Sequence, residues 1–196
     1  SGNTKDYIEI PSGNSTLEGN RTWTWKRDGA PYVLTESIRM YRDSGTYTDS
    51  QRSVLEIERG TTVKIQGGSH IYVGYSSNND NYDRYPGGLR ATGVTFTSLD
   101  STAWSGIYFQ NSALDDTNYT LIDSCIIENA TDGVYCNSSS PTIRNSTIRN
   151  NIDGIHVDQG TPIIVGNTFI GNTRPVSIQA AYIDENIYGN TYSGNT

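Results

Sequence analysis

The sequence predicts an all-β protein that folds as a solenoid, with coils of about 22 residues and an irregular N-terminal cap. Composition supports a β protein, because 34% of the 196 residues are hydrophobic while 20 are glycines. Disorder is disfavoured, because only 18% of residues are charged and aromatic residues make up 10%. The decisive observation is a repeat in the C-terminal half of the chain.

The first part of each repeat is a short strand with one buried face. The segments "WSGIYFQ", "TDGVYCN", "IDGIHVD" and "TRPVSIQ" align on Gly106, Gly133, Gly154 and Pro175. Two apolar columns follow, Ile107, Val134, Ile155 and Val176, then Phe109, Cys136, Val157 and Ile178. A column of polar character lies between them, formed by Tyr108, Tyr135, His156 and Ser177. This alternation has the period of two that a strand requires.

A second part of each repeat supplies two further apolar columns and an asparagine. The apolar columns are Leu121, Ile143, Ile164 and Ile187, then Ile126, Ile148, Phe169 and Tyr192. The asparagines are Asn129, Asn151, Asn172 and Asn195. Because stacked strands lie about 4.8 Å apart, side-chain amides at one turn can hydrogen-bond to each other. We therefore predict a structural asparagine ladder.

The N-terminal part is less regular. We assign residues 1–54 to an extension and cap that contains Trp23 and Trp25, and residues 55–196 to the solenoid. Within the solenoid, "SVLEIERGTTVKIQGGSHIYVG" predicts two early coils, and residues 76–88 form a polar insertion. The C-terminal "IYGNTYSGNT" has no amphipathic helix to cover it, so we expect an open end that a partner can dock onto.

These repeats resemble the right-handed parallel β-helix family, in particular the repeat-rich surface proteins of archaea and bacteria. The resemblance rests on "GVTFTS" with "WSGIYF", on "SSPTIRNSTIRNN" and on "GTPIIVGNTFIGN", and it covers Leu55 to Asn195. A leucine-rich solenoid would need an LxxLxL pattern, which is missing. The family includes pectin lyases, glycoside hydrolases, phage tailspikes and inert surface modules, so the resemblance implies a fold and leaves several functions open.

Charge and composition exclude several partners. A net charge of −7 and a pI near 4.7 argue against nucleic acid and anionic membranes. No apolar run is long enough for a membrane span.

Cys125 and Cys136 do not form a CxxC metal motif, and we expect free or loosely paired thiols, with a bridge inside one coil as the alternative. Sequons for N-glycosylation begin at Asn14, Asn20, Asn118, Asn129, Asn137 and Asn145.

Asp132 and Asp153 are weak candidates for catalysis. They occupy equivalent positions in neighbouring coils, which places their carboxylates about 5 Å apart, the separation that retaining glycosidases use. Aspartate before glycine is also ordinary turn chemistry, and Arg174 in the next coil can neutralise the pair. The motifs that the resemblance would imply for polygalacturonases and pectate lyases are missing. His70 and His156 look too isolated for a triad or a zinc site, and no metal site is predicted.

Two binding sites can be suggested from the sequence. Tyr108, Tyr135, His156 and Asp158 would present aromatic rings and polar groups on one outer face, where a polysaccharide could bind, although tyrosine is also favoured on strands for its β propensity. "NNDNYD", residues 78–83, is rich in oxygen ligands suited to Ca²⁺, but it lacks the ligand spacing of an EF-hand. No other cofactor is predicted.

The sequence thus favours a non-enzymatic protein at the cell surface or outside the cell. Its role would be that of a structural module in a sheath or filament, whose partners are copies of itself or other surface proteins. The segment "SGNTKDYIEIPSG" could add a strand to the open end of a neighbouring molecule. The alternatives are a glycan-binding module and, from a different class, a polysaccharide lyase or glycoside hydrolase.

Overall fold

The computed structural model describes residues 6–10, 16–17, 21–41, 52–76, 84–111, 113–179 and 184–196. These residues form three parallel sheets, and successive coils visit sheet 1, sheet 2 and sheet 3 in the same order. Each strand pairs with its counterpart in the preceding and following coils. This arrangement confirms the predicted all-β fold and is consistent with a right-handed parallel β-helix.

The strands of the three sheets have the following bounds. Sheet 1 contains Arg21–Trp25, Ser53–Ile57, Gly87–Thr92, Leu121–Asp123, Thr142–Arg144, Ile163–Val165 and Ile187–Tyr188. Sheet 2 contains Ile8–Ile10, Tyr32–Leu34, Thr62–Ile65, Thr95–Ser98, Ile126–Glu128, Thr147–Arg149, Thr168–Ile170 and Thr191–Ser193. Sheet 3 contains Thr16–Leu17, Ile38–Met40, His70–Val73, Gly106–Phe109, Asp132–Cys136, Asp153–Val157 and Arg174–Ile178.

The N-terminal region joins the same sheets. Arg21–Trp25 pairs in parallel with Ser53–Ile57, and the next two strands pair in the same way with the coil that follows. The described N-terminal strands therefore lie in the same three sheets as the solenoid, and the division into a cap at residues 1–54 and a solenoid at 55–196 stays a prediction. The segment predicted to hold two early coils forms one, because its three strands each enter a different sheet.

The polar insertion is shorter than predicted. Tyr75–Ser76 pairs antiparallel with Arg84–Tyr85, which marks a hairpin that leaves the coil. Gly87 and Gly88 already belong to sheet 1, where both are buried. The Ca²⁺ candidate at 78–83 lies outside the described residues. Of the residues described, the only helix is the 3₁₀ turn Asp184–Asn186, and none is long and apolar enough to cross a membrane.

The interior of the coils is one continuous hydrophobic core. Its largest fully buried side chains include Trp104, Phe96, Phe109 and Phe169. Register pairs Ile107 with Val134 and then Ile155, as the sequence alignment of this sheet predicted. Each such residue removes its side chain from water, which contributes roughly 1.5–3 kcal/mol for a fully buried aliphatic or Phe side chain.

In two of the predicted core columns the first member is wrong by one residue, while the other three members of each column pair in register as predicted. Ile122, and not Leu121, pairs with Ile143, and Ile127, and not Ile126, pairs with Ile148. Ile122 and Ile127 are fully buried, whereas Leu121 and Ile126 are only partly buried. Because side chains alternate between faces, a slip of one residue in a strand exchanges the residue that faces the core for one that faces outward.

The asparagine ladder runs through one turn of each late coil. Asn195 Oδ1 accepts the N–H of Asn172 at 2.9 Å, and Asn172 Oδ1 accepts that of Asn151 at 3.0 Å. Asn151 Oδ1 in turn accepts the N–H of Ala130 at 2.9 Å. Ala130 therefore occupies the position that we predicted for Asn129. Asn129 is exposed, has a φ of 60° and donates its amide to Thr97.

A second ladder, which the sequence analysis missed, lies at the turn between sheets 1 and 2. Asn190 Oδ1 accepts the N–H of Asn167 at 2.8 Å, and Asn167 Oδ1 accepts that of Ser146 at 3.0 Å. The hydroxyl of Ser146 then accepts the N–H of Cys125. Cys125 thus aligns with Ser146 of the next coil. Both ladders satisfy backbone N–H groups that the strands leave unpaired.

Candidate functional site

Ionisable side chains converge on the outer surface of sheet 3. Asp132 and Asp153 stand at the first positions of neighbouring strands and are paired in register. His156 lies three residues after Asp153, opposite Tyr135 of the previous coil. Parallel stacking thus brings together residues that are 21 and 24 positions apart in the sequence.

A glycine follows each of the two aspartates and packs tightly against the next coil. A Cβ atom at Gly133 would lie 2.6 Å from the carbonyl oxygen of Gly154, and one at Gly154 would lie 2.4 Å from that of Pro175. The absence of a side chain at these positions lets the strands approach closely. The carboxylate before each glycine then lies outside the core, on the face where the His156 ring also lies.

The two carboxylates and the imidazole form a compact set of ligand atoms. His156 Nδ1 lies 3.3 Å from Asp132 Oδ1 and 4.0 Å from Asp153 Oδ2. One ligand atom from each of the three residues lies within 4.8 Å of the others. The side chains are 11%, 5% and 18% exposed for Asp132, Asp153 and His156, so the cluster is largely shielded but can be reached from solvent.

Neighbouring side chains hold this cluster in place. The Arg174 guanidinium donates to both oxygens of Asp153, at 2.6 Å from Nε and 2.5 Å from Nη2. These hydrogen bonds and the charge of Asp153 raise the pKa of Arg174. The Tyr108 hydroxyl donates to Asp132 Oδ2 at 2.9 Å, and the Gln179 amide lies 2.9 Å from His156 Nε2. Burial, and then the charge of Asp132, raise the pKa of Tyr108.

The predicted glycan-binding residues lie in one column with this cluster. Ring centroids are 4.8 Å apart for Tyr108 and Tyr135, and 4.9 Å apart for Tyr135 and His156. The Tyr135 hydroxyl also reaches Asp158 Oδ2 at 3.3 Å. The column continues to Tyr72, whose ring lies 5.7 Å from that of Tyr108. Because each ring packs against the next, much of the aromatic surface is used to stack the coils.

The remaining sequence candidates are placed apart from this cluster. Cys125 and Cys136 are free and buried, and burial raises the pKa of both thiols, that of Cys125 to about 11. Of the sequon asparagines, Asn118, Asn129 and Asn145 are exposed and Asn137 is half-buried. Asn14 and Asn20 lie outside the described residues. Glycosylation at these positions stays a prediction.

A family of known proteins matches nearly the whole chain. The family model described as "Periplasmic copper-binding protein (NosD)" matches residues 13–196. The chain belongs to the NosD family. A comparison with curated proteins found no match, and a comparison with solved structures found none either. The NosD match agrees with the parallel β-helix fold and directs attention to groups that could hold copper.

The donor set of the outer cluster fits Cu(II). Imidazole nitrogen and carboxylate oxygen are ligands that Cu(II) accepts, whereas Cu(I) prefers the sulfur atoms of Cys and Met. Met40 and Cys136 are fully buried in the core, where no solvent reaches their sulfur atoms. Among the described residues, Asp132, Asp153 and His156 are the one group of three such donors.

Every member of this group is among the residues predicted from the sequence, but the prediction does not join them. In it the two aspartates form a carboxylate pair and His156 is an isolated ring. The signal that connects them is the register: an Asp-Gly pair recurs at 21 residues, and a histidine lies three positions after the second aspartate. On an outer face of stacked strands, this spacing brings the imidazole between the two carboxylates.

Proposed function

We propose that this chain is a non-enzymatic periplasmic or extracellular β-helix protein that binds Cu(II) through Asp132, Asp153 and His156. The observation that carries the proposal is the approach of His156 Nδ1 to both carboxylates, at 3.3 Å and 4.0 Å. The description of the NosD family supports both the metal and the location. The chain contributes a rigid scaffold, because all three residues lie on strands paired on both sides.

His156 is oriented for metal binding by its contacts. Nε2 contacts the Gln179 amide at 2.9 Å, while Nδ1 faces the carboxylates. The atom of Gln179 that lies 2.9 Å from Nε2 is the amide nitrogen, which donates, so Nε2 accepts this hydrogen bond and Nδ1 carries the ring proton towards Asp132. Cu(II) at Nδ1 would replace that proton, while the Gln179 contact keeps the ring in its orientation.

Asp132 and Asp153 supply the negative charge of the site. Two carboxylates on neighbouring strands repel each other, and a dication between them would relieve that repulsion. Arg174 offsets part of the charge by pairing with Asp153, and the Tyr108 hydroxyl holds Asp132 without adding charge. Among divalent first-row metals, a site of nitrogen and oxygen donors generally binds Cu(II) most tightly.

Copper titration of the purified, chelator-treated chain tests this proposal. We expect one Cu(II) per chain by isothermal titration calorimetry, and nitrogen coupling from one imidazole in the electron paramagnetic resonance spectrum. His156→Gln should remove that coupling and weaken binding at least tenfold. His70→Gln is a matched control, because His70 lies half-buried on the same face of sheet 3 and stacks on Tyr72. Equal loss in both variants, or no loss in His156→Gln, would refute the site.

The other functions that the sequence suggested, which are self-assembly, glycan binding and cleavage of a polysaccharide, stay predictions. For self-assembly, Ile8–Ile10 pairs with Tyr32–Leu34 of its own chain and forms one edge of sheet 2 within the described residues. If that edge is used, a chain that lacks residues 1–13 should fail to polymerise under conditions where the intact chain does. For glycan binding, Tyr135→Ala should lower glycan affinity without unfolding the chain.

A further inference from the structure

The Arg174–Asp153 ion pair occupies the proposed copper site. Both oxygens of Asp153 accept hydrogen bonds from one guanidinium, and one of them, Oδ2, is also the Asp153 oxygen that lies 4.0 Å from His156 Nδ1. We propose that Arg174 is a built-in competitor that occupies Asp153 until a strongly binding metal arrives, and so determines the affinity and the selectivity of the site. This inference rests on the proposed copper-binding function.

The exposure of the two partners shows which of them can move. The Asp153 side chain is 5% exposed and sits beside a glycine that packs against the next coil, so the carboxylate is fixed. The Arg174 side chain is 60% exposed, so its guanidinium can turn into water and remain solvated. Arg174 therefore can release Asp153 without any change in the strands.

The competition favours Cu(II) over hard cations. Ca²⁺ and Mg²⁺ bind mainly through oxygen ligands and charge, and Arg174 competes for that same charge. Cu(II) gains in addition from the His156 nitrogen, a donor that Arg174 does not block. While Arg174 is paired with Asp153, the two carboxylates and the guanidinium together carry one net negative charge, whereas the two carboxylates alone carry two. A cation that binds only through these carboxylates is therefore attracted less strongly.

A purely structural role for Arg174 predicts a different outcome. If the guanidinium only neutralises a buried carboxylate, its loss destabilises the fold and leaves metal affinity unchanged. If it also competes with metal, its loss destabilises the metal-free chain but makes each added cation bind more tightly and stabilise more. Metal affinity and the thermal shift on metal addition separate these two roles.

The test compares Arg174→Gln with the wild type and with Arg149→Gln. Arg149 forms a similar ion pair between coils, with Nε 2.6 Å from Glu128 Oε2, but it lies on sheet 2 away from the site. Calorimetric titrations with CuCl₂ and with CaCl₂ are run on all three proteins, and melting temperatures are recorded with and without metal. Arg174→Lys is run in parallel, because it keeps the charge and loses the bidentate fork.

We expect Arg174→Gln to bind Cu(II) about tenfold more tightly, since no guanidinium then competes with the metal for the Asp153 carboxylate. Ca²⁺ affinity should rise by a larger factor, Arg149→Gln should match the wild type, and Arg174→Lys should fall between. Unchanged Cu(II) affinity in Arg174→Gln and Arg174→Lys would overturn the inference and leave the copper site standing. Absence of Cu(II) binding in every protein would instead overturn the proposed function and the inference with it.

Discussion

Asn172 completes the hydrogen bonding of Asn151, its counterpart one coil earlier. Its Oδ1 accepts both the backbone N–H and the side-chain Nδ2 of Asn151, each at 3.0 Å. Its own Nδ2 donates to the carbonyl of Ile148 at 2.8 Å. Both asparagines are buried at a turn, where no strand pairing is available, so the side chain replaces the missing strand partner.

This relationship predicts that Asn172→Ala destabilises the fold strongly. The change leaves the buried N–H of Asn151 without an acceptor, which costs about 1–3 kcal/mol, and it also removes the hydrogen bonds to Asn151 Nδ2 and to the Ile148 carbonyl, at about 0.5–1.5 kcal/mol each. We expect the free energy of unfolding to fall by about 2–4 kcal/mol in urea titrations. Asn118→Ala, at an exposed turn, serves as the control and should change stability by less than about 0.5 kcal/mol. Similar losses in both variants would contradict the ladder.

How far the sequence could predict this ladder depended on the length of each coil. The coils that end in Asn151 and Asn172 have the same length, so their columns aligned correctly. The coil before them contains extra residues between Phe109 and Leu121, and their number does not reveal where the strand resumes. For that coil, either Asn129 or its neighbour Ala130 could stand at the ladder position. The structure places Ala130 there, and Asn129 is the residue with positive φ next to the ladder.

The sequence predicts which residues belong to the candidate site, but it does not predict which of their side chains are in contact. Alternation identified the outward column of Tyr135 and His156, and the repeat placed Asp132 opposite Asp153. Sequence periodicity gives no information on side-chain direction at a glycine, where the alternation is interrupted. The outward turn of Asp153 depends on the close packing of Gly154, which a sequence alone does not show.

Gly154→Ala is expected to damage both stability and the site. The added methyl group would lie 2.4 Å from the carbonyl oxygen of Pro175 and 3.1 Å from Phe169 Cδ1, so the strands would have to separate. Such overpacking typically costs about 1–3 kcal/mol. Because Asp153 precedes this glycine, Cu(II) affinity should fall together with the free energy of unfolding. Urea titration and copper titration of the same sample measure both.

Gly29→Ala is the control for this substitution. A Cβ atom at Gly29 would have no neighbour within 4 Å, but the φ of 94° disfavours any side chain there. The control should lose about 1–2 kcal/mol from backbone strain and keep its copper affinity. If Gly154→Ala bound copper as the wild type does, packing at this glycine would not determine where Asp153 points.

The buried thiol of Cys125 predicts a loss of stability at alkaline pH. Burial raises its pKa from the ordinary value of 9.0 to about 11 in the folded chain. The unfolded chain therefore releases this proton first, and the stability that the protonated thiol contributes is complete below pH 9 and is lost as the pH rises to about 11. Urea titrations across this range should show a shallower decline in the free energy of unfolding for Cys125→Ala than for the wild type.

Thiol-reactive dye should label native Cys125 far more slowly than the urea-unfolded chain, because the reactive thiolate is rare at neutral pH. Parallel curves for the two proteins, or rapid labelling of the native chain, would show that Cys125 is not shielded as its burial indicates.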